Sequence, residues 1–461
     1  MPPLACQPYI DSFINYEIRT GIDPQKVFKA ERVRAFLRAL GDPQRKLTCL
    51  HIAGTKGKGS TAVFLAHILR RAGFRTGLYT SPHLYYLNER IRLLAPVPAA
   101  REERGLFPDE ISDREFEGLL SQIKPVAEGF RRHPDYGELT YFELLTALAF
   151  CFFAEAKADL VVLETGMGGR LDASNVIDPL ACGLTAIGLD HTAQLGTTVE
   201  QIAREKVAIV KPGKPVVIAP QRPEVSRVID AYCRQAGCPA VWVGKDILVE
   251  SHRTGLDGQS FLVRAAQRQY DLSTRLRGSF QLNNAATAVG LAGIVRDKGY
   301  AVPASAVAAG IAETFWPVRF EVISQQPAVV LDAAHNPDSI KALVDNIQCY
   351  FPGGKKIVVL GLSRDKDIPG IGRIIQAFAG DIIPVRADHP RAYDFSDPVL
   401  NGVLKIQPGD VRDARQGLLD AMGRARSDDV VVVTGSIFIA AEARAFLKKS
   451  LKISNTTRLA S

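Results

Sequence analysis

Short apolar segments alternate with amphipathic segments along the first half of the chain. Runs of this length, bounded by glycine, proline or polar clusters, are typical of buried strands, and the segments between them have helical periodicity. Repetition of strand, loop and helix predicts an α/β fold with a doubly wound, mainly parallel sheet. The predicted strands lie at residues 47–53, 75–80, 159–163, 182–189 and 215–219.

The pattern changes twice further along the chain. Between 241 and 276 it becomes short alternating segments broken at Gly255 and Gly258, which predicts antiparallel strands. Strand–helix alternation then returns, with apolar runs at 328–332, 357–362, 381–385 and 430–434. A chain of 461 residues is too long for one ordinary core. We expect an N-terminal α/β domain over 1–315, a C-terminal domain over 316–449, and a polar, flexible tail over 450–461.

A glycine-rich loop follows the first predicted strand. The stretch His51–Ser60 reads HIAGTKGKGS and leads into an amphipathic segment. A loop between strand and helix can bind phosphate through backbone N–H groups and the helix N-terminus, while a lysine contacts the outer phosphates. Because Gly59 separates Lys58 from Ser60, the spacing differs from the common P-loop motif. The alternative is a glycine-rich turn with incidental lysines, which the order of strand, loop and helix disfavours.

Polar residues end three other predicted strands, at Ser81, Glu164 and His191. The carboxyl ends of parallel strands meet at one edge of a sheet, so these side chains are expected near the phosphate loop. Hydroxyl, carboxylate and imidazole groups beside a triphosphate suit Mg²⁺. Each also has a simple alternative: Ser81 as a turn cap, Glu164 paired with Arg170, and His191 as an ordinary loop histidine. Taken together around one phosphate loop, they favour a metal site.

Lys206 lies in a predicted helix, within Arg204-Glu205-Lys206. One interpretation is a surface lysine paired within its helix. The other is a lysine held near metal and phosphate, where a positive charge is repelled. A neutral amine can take up CO₂ and become a carbamate, which supplies an anion.

Composition excludes several classes of protein. The net charge is +8, without dense Lys/Arg runs interleaved with aromatic residues, so we expect no nucleic-acid partner. The longest apolar run, 144–154, is too short to span a bilayer, and the N-terminus lacks the features of a signal peptide. Seven scattered cysteines without a CxxC pair argue against zinc and disulfides. We expect a cytoplasmic monomer that acts on small molecules and has no membrane partner.

An ordered set of motifs resembles the folylpolyglutamate synthase/dihydrofolate synthase family of the Mur ligase superfamily. The resemblance runs from about residue 9 to about residue 447, and ordered motifs are more specific than any single one. The motifs are HIAGTKGKGS, TSPHLYYLNERI, LTYFELLTALAF, LETGMGGRLDASN, LDHTAQLGTTVEQIAREKVAIVKPG, NNAATA, WPVRF, LDAAHNP and GSIFIAAEAR.

This resemblance implies a Mur-ligase-like P-loop ATPase domain and a smaller Rossmann-like C-terminal domain. It implies that ATP phosphorylates a folate or pteroate carboxylate and that the amino group of L-glutamate then displaces phosphate. It also implies the site residues. Phosphate and ATP contacts would come from Gly57, Lys58, Gly59, Ser60, Asn284, Arg319 and Asp332; Mg²⁺ ligands from Ser81, Glu164 and His191; pterin contacts from Thr140, Tyr141, Phe142, Glu143, Leu171, Asp172 and Ala173; and catalytic groups from Lys58, Lys206 (as a carbamate) and His335.

The chain departs from the family pattern at several positions. The family usually has Asn at Lys56 and Gly at Val318, and it has smaller residues than Val207-Ala208 beside Lys206. The segment 27–32 corresponds to the family's N-terminal pterin segment and lacks the Gly-Leu pair that the family usually has there. Dihydropteroate, a reduced folate or both stay open as acceptors. The alternatives are a related ligase with another carboxylate acceptor and a non-catalytic nucleotide-binding protein, which would be expected to lose Lys58, Glu164, His191 or Asp332.

Overall fold

The computed structural model describes residues 4–18, 29–96, 106–395, 397, 402–404, 406 and 411–458. Segment 27–28, where part of the pterin segment was expected, lies outside these residues. The chain forms two compact units. The first comprises 1–253, 259–275 and 280–315, and the second comprises 254–258, 276–279 and 316–461.

A seven-stranded sheet forms the centre of the first unit. Its order is β3-β2-β4-β1-β5-β6-β7, in which β2 and β3 are antiparallel and all other neighbours are parallel. The fully buried β1 lies between β4 and β5. The loop after β1 therefore leaves the middle of the sheet, where a parallel α/β fold binds its ligands. The strands are β1 (Cys49–Ala53), β2 (Thr76–Tyr79), β3 (Ile91–Leu94), β4 (Leu160–Glu164), β5 (Ala181–Leu184), β6 (Val216–Ile218) and β7 (Ala240–Trp242).

Helices cover this sheet, and a smaller sheet follows it in the chain. The smaller sheet has the order β10-β9-β8, with β9 and β10 antiparallel, as predicted for 241–276. Its strands are β8 (Ile247–Gly255), β9 (Gly258–Ala265) and β10 (Arg268–Thr274). The helices are α1 (Gln7–Asp11), α2 (Ala30–Ala39), α3 (Lys58–Arg71), α4 (Asp113–Gly129), α5 (Tyr141–Glu155), α6 (Thr192–Leu195), α7 (Val199–Val207), α8 (Pro223–Gln235), α9 (Ser279–Asp297) and α10 (Ala304–Glu313).

Helix α9 packs closely on the sheet because its sequence is rich in small residues. A Cβ atom at Gly290 would lie 2.5 Å from Ile247 Cδ1 and 2.9 Å from Val217 Cγ1, so only glycine allows this approach. The helix begins at Ser279, four residues before the start predicted at Asn283. Asn284 therefore lies in the first turns of a buried helix.

The second unit is built on a six-stranded sheet with the order β11-β12-β16-β13-β14-β15. Strands β11 and β12 are antiparallel and the other neighbours are parallel. The strands are β11 (Glu321–Gln325), β12 (Ala328–Leu331), β13 (Lys356–Leu360), β14 (Asp381–Arg386), β15 (Arg412–Asp413) and β16 (Val430–Thr434). The helices are α11 (Pro337–Tyr350), α12 (Ile368–Phe378), α13 (Ala414–Arg424) and α14 (Ile437–Arg458).

The predicted fold class is confirmed, and every strand predicted in the two α/β regions is present. The backbone of helix α14 is helical as far as Arg458 and so extends into segment 450–461, which the sequence predicts as a flexible tail. No glycine or proline interrupts the sequence between 437 and 458, which is consistent with a continuous helix. Within the described residues, no helix has the length and apolar character needed to cross a membrane.

Candidate active site

Two glycines shape the predicted phosphate loop, His51–Ser60. Gly54 and Gly57 both have positive φ, at +157° and +90°. A Cβ atom at Gly54 would lie 1.8 Å from Thr185 Oγ1, and one at Gly57 would lie 2.2 Å from Asn284 Oδ1. The loop is thus fitted against the end of β5 and the start of α9, and Asn284 lies beside it.

The start of α3 has the features of an anion site. Gly57 is the residue before the first turn, and no described side chain caps the backbone N–H groups there. Lys58, Gly59 and the buried Ser60 form this first turn. Uncapped N–H groups at a helix N-terminus, together with the positive end of the helix dipole, bind phosphate oxygens.

Glu164, Lys58 and Ser81 come together at the carboxyl edge of the sheet. Glu164 Oε1 lies 4.0 Å from Lys58 Nζ, and Glu164 Oε2 accepts a 3.2 Å hydrogen bond from the backbone N–H of Ser81. Arg170 instead pairs with Glu205, at 3.0 Å, so the alternative of a Glu164–Arg170 pair does not hold. The Glu164 carboxylate is buried next to the phosphate loop, where a charged group has a chemical use.

The residues at this edge fit a Mg²⁺ ion. Within the described ranges, no group of three or more His, Cys, Asp and Glu side chains is arranged to hold a metal ion. Mg²⁺ in phosphate-transferring sites needs no such cage, since it keeps water ligands and binds one or two carboxylates together with substrate phosphates. Glu164 supplies a carboxylate, and Ser81, whose backbone N–H bonds to that carboxylate, carries a hydroxyl group.

Asp190 connects the phosphate loop to His191. Lys56 Nζ donates a 3.0 Å hydrogen bond to Asp190 Oδ2, and Asp190 Oδ1 lies 4.0 Å from His191 Nε2. The backbone N–H groups of Thr55 and Lys56 both donate to the carbonyl oxygen of Ala186. The extra lysine therefore pairs with a carboxylate of the neighbouring loop.

Lys206 is a buried lysine, and the alternative of a surface lysine is wrong. It is 4% exposed, while Glu205 of the same helix bonds to Arg170. Burial, reinforced by the positive charge of Lys58, lowers the pKa of Lys206 to about 7. Near neutral pH a large share of this amine is therefore uncharged, which is the form that can react as a nucleophile.

The first predicted pterin segment begins α5. Thr140 caps the helix and Glu143 completes the capping box. Glu143 also forms a two-pronged pair with Arg32, whose Nε donates to Oε2 at 2.9 Å and whose Nη2 donates to Oε1 at 2.8 Å. Both carboxylate oxygens thus have partners within the protein. Phe142 is only partly buried and contacts the position of Gly166, so it is better placed to meet a ligand than the buried Tyr141.

The second predicted pterin segment is held by Asp172. Its Oδ1 accepts from Ser174 N–H at 2.9 Å and from Ser174 Oγ at 2.5 Å, and its Oδ2 accepts from Met167 N–H at 3.0 Å. Asp172 and Ala173 are buried, and Leu171 is partly exposed. Asp172 therefore fixes the loop after β4, and Leu171 is the member of the segment open to a ligand.

The second unit contains three predicted site residues: Asp332 and His335 follow β12, and Arg319 precedes β11. Asp332 is buried and accepts from Phe320 N–H at 2.8 Å and from Ala334 N–H at 2.8 Å, so it holds the turn that carries Arg319. His335 Nδ1 lies 2.8 Å from the carbonyl oxygen of Ala333. Because a carbonyl can only accept, Nδ1 carries a proton, and the lone pair of the neutral ring is on Nε2.

Two residues of the site, Arg32 and Asp190, are not among those predicted from the sequence. Arg32 is separated from Glu143 by 111 residues, so no local pattern signals the pair. For Asp190 a signal was available. It lies next to the predicted ligand His191 at a strand end, and the additional cation at Lys56 calls for a nearby anion.

We expect Arg32→Ala to lower the free energy of unfolding by about 3 kcal/mol, because it leaves the buried Glu143 carboxylate without its ion pair. Arg34→Ala is the matched control. It removes an arginine from the same helix whose pair with Glu31 is exposed, so a change below about 0.5 kcal/mol is expected. Urea unfolding measures both. Equal effects would show that the buried pair has no special contribution.

Comparison with known proteins identifies the family of the chain. The Mur ligase middle domain family matches residues 117–292, and the Mur ligase glutamate ligase domain family matches residues 318–437. Dihydrofolate synthase/folylpolyglutamate synthase of Bacillus subtilis is 32% identical over 446 residues, covering 95% of this chain and 98% of the relative. The structure of Mycobacterium tuberculosis folylpolyglutamate synthase complexed with ADP has a TM-score of 0.84 at 29% identity, covering 96% of this chain and 98% of that one. An FPGS–AMPPCP–folate complex has a TM-score of 0.80 at 29% identity, with the same coverage. The chain therefore belongs to the folylpolyglutamate synthase/dihydrofolate synthase family of Mur ligases.

Proposed function

We propose that this protein is an ATP-dependent ligase that joins L-glutamate to a folate-type acceptor through an acyl phosphate. The observation that carries the proposal is the group at the carboxyl edge of the first sheet. The phosphate loop there leads into a helix start without a side-chain cap, and Lys58 of that start lies near Glu164. Lys206, whose pKa is lowered partly by Lys58, belongs to the same group. Relatives with ADP, and with AMPPCP and folate, support the choice of substrates.

In the first step, the acceptor carboxylate attacks the γ-phosphorus of ATP and ADP leaves. The N–H groups at the start of α3 and the ammonium of Lys58 bind the phosphate oxygens and stabilise the charge that develops on them. We propose that Glu164 and Ser81 hold one Mg²⁺ and that His191 holds a second. When bound, Mg²⁺ supplies further neutralisation of the phosphate charge.

In the second step, the amino group of glutamate attacks the acyl carbon, a C–N bond forms and phosphate leaves. The amine must lose a proton for the amide to form. Nε2 of His335 is suited to accept it, because the Ala333 carbonyl keeps the other ring nitrogen protonated. We propose that Arg319 and Asn284 bind the nucleotide. Asp332 would contribute to this binding because it holds the turn that carries Arg319.

Lys206 is proposed to act as a carbamate. Its uncharged amine adds CO₂ and releases a proton, which replaces a cation by an anion beside Lys58. Burial, and after it repulsion from Lys58, lowers the pKa of Lys206, and both effects also favour replacement of the cation by a carbamate.

For the acceptor, we propose a pterin bound near Phe142 and Leu171, the more open members of the two predicted segments. The buried members of the two segments would support that site from the protein interior; they are Thr140, Tyr141, Glu143, Asp172 and Ala173. We further propose that the enzyme works as a monomer in the cytoplasm. All seven cysteines are free thiols, which suits a reducing compartment.

The test is an assay of the purified protein for ADP and phosphate release. Release is expected only when Mg²⁺, L-glutamate and a pterin acceptor are all present, with dihydropteroate and tetrahydrofolate tried in parallel. Glu164→Gln serves as the control for contaminating ATPases and should lose the activity. No turnover with either acceptor would contradict the folate assignment, and turnover with one of them would decide between the activities.

A further inference from the structure

The turn that carries Arg319 has a strained backbone. Val318 has φ +51° and Phe320 has φ +48°. A β-branched residue at positive φ is an outlier, because its side chain crowds its own backbone, and such residues persist only where the surroundings hold them. Both side chains are buried, at 0% and 1% exposure. The conformation that presents Arg319 therefore depends on contacts within the second unit.

Two carboxylates hold the turn, one on each side of Arg319. Glu321 Oε2 accepts from Val318 N–H at 3.0 Å, and Asp332 Oδ2 accepts from Phe320 N–H at 2.8 Å. The carbonyl oxygen of Val318 also accepts from Ala333 N–H at 3.0 Å. Hydrogen bonds from backbone N–H groups to charged acceptors are stronger than those between neutral groups, so these carboxylates can stabilise a backbone that is unfavourable alone.

Arg444 in α14 binds Glu321. Its Nε lies 3.0 Å from Oε1 and 2.8 Å from Oε2 of the carboxylate. The Arg444 side chain is 7% exposed and that of Glu321 is 14% exposed. Without the guanidinium, the Glu321 charge would lie in a poorly solvated place and would favour rotamers nearer to water, away from Val318. Arg444 is the last residue of the GSIFIAAEAR motif, and the reaction steps above leave it without a role.

We propose that Glu321 and Arg444 are positioning residues, which hold the strained turn so that Arg319 is presented to the nucleotide. Arg444 orients Glu321, Glu321 fixes Val318, and Asp332 fixes the other side of the turn. The proposal rests on the proposed function, since the nucleotide contact of Arg319 belongs to it. It predicts an effect on use of ATP, beyond any effect on folding.

The test is a double-mutant cycle between Arg444→Met and Arg319→Ala, with steady-state kinetics for ATP and for the acceptor. Arg444→Met alone should lower kcat/KM for ATP on the order of tenfold. KM for the acceptor should change less than about twofold, since the turn would act on the nucleotide alone. In the Arg319→Ala background, Arg444→Met should have no further effect on kcat/KM for ATP. Arg444→Lys, which keeps a cation beside Glu321, should restore part of the loss.

Controls separate this role from a general loss of stability. Arg424→Met removes another ion pair of the same unit, the one to Asp381 at 3.1 Å, and should leave ATP kinetics unchanged. If Arg444→Met does not fold, Glu321→Leu takes its place, because it removes the carboxylate that accepts from Val318 N–H, and it should lower kcat/KM for ATP to a similar extent. A lower melting temperature with normal ATP kinetics, or a full loss that persists in the Arg319→Ala background, would overturn the proposal. If Arg319→Ala itself leaves ATP kinetics normal, the nucleotide role of Arg319 fails instead.

Discussion

Lys58→Met is expected to lower kcat for glutamate ligation by about 10³-fold. Phosphoryl transfer in such sites depends on positioned cations and backbone donors, and removal of one of them costs on this order. Lys58 Nζ is the cation 4.0 Å from Glu164, at the first turn of α3. Methionine keeps the length and the apolar stem of lysine but not its charge. Single-turnover measurement of ADP formation reports the step directly.

Lys56→Asn is the matched control for Lys58→Met. Lys56 lies two residues earlier in the same loop, but its ammonium binds Asp190, and asparagine is the residue that the family pattern usually has there. We expect a change in kcat below about threefold, which is the scale of a partly exposed ion pair. If the two variants lost activity to the same extent, the phosphate role would not be specific to Lys58.

Lys206→Ala should lose at least about 10²-fold in kcat and regain part of it when acetate or formate is added, because a small carboxylate can take the place of the carbamate. In the wild-type protein, ¹³C-labelled bicarbonate should give a carbamate resonance that the variant lacks. Since the pKa of Lys206 is about 7, the uncharged amine falls in amount below that pH. The resonance should therefore form less readily as the pH is lowered through 7.

The matched control for Lys206→Ala is Lys214→Ala. Lys214 is a more exposed lysine of the same unit, paired with Asp178 at 2.7 Å, and its loss should change neither kcat nor the ¹³C spectrum. Full activity of Lys206→Ala without added carboxylate would exclude the carbamate role. Loss of activity with no restoration by any carboxylate would leave Lys206 as a residue needed for its amine.

Sequence patterns predicted the parallel strands well because buried strands combine continuous apolar runs with polar residues at their ends. The same rule brought Ser81, Glu164 and the phosphate loop to one edge of the sheet. It failed for the antiparallel edge strands β3 and β11 and for helix α4, which the pattern analysis did not identify. Strand β11 is partly exposed along its length, so its apolar signal is weak. Strand β3 is fully buried, but it has only four residues and follows directly after a short 3₁₀ helix, Leu87–Arg90.

The partners of the predicted site residues could not be predicted in the same way. Glu143 and Asp172 were identified by motif, but their hydrogen bonds to Arg32 and Ser174 decide how much of each carboxylate is open to a ligand. Backbone strain is also hidden from sequence, since valine at 318 gives no sign of positive φ unless the usual glycine is known. The hydrogen-bond partners and the backbone strain both depend on tertiary contacts, which an amino-acid sequence alone does not show.

The contact between Gly57 and Asn284 has a consequence for redesign of nucleotide selectivity. The space that a Cβ atom at position 57 would need is taken by the Asn284 amide, whose Nδ2 also donates to Gln281 Oε1 at 2.9 Å. A loop from another ATPase that carries a side chain at position 57 would therefore clash with Asn284 of α9. A library that varies the loop in this protein should therefore vary positions 281 and 284 at the same time, because Asn284 contacts both Gly57 and Gln281.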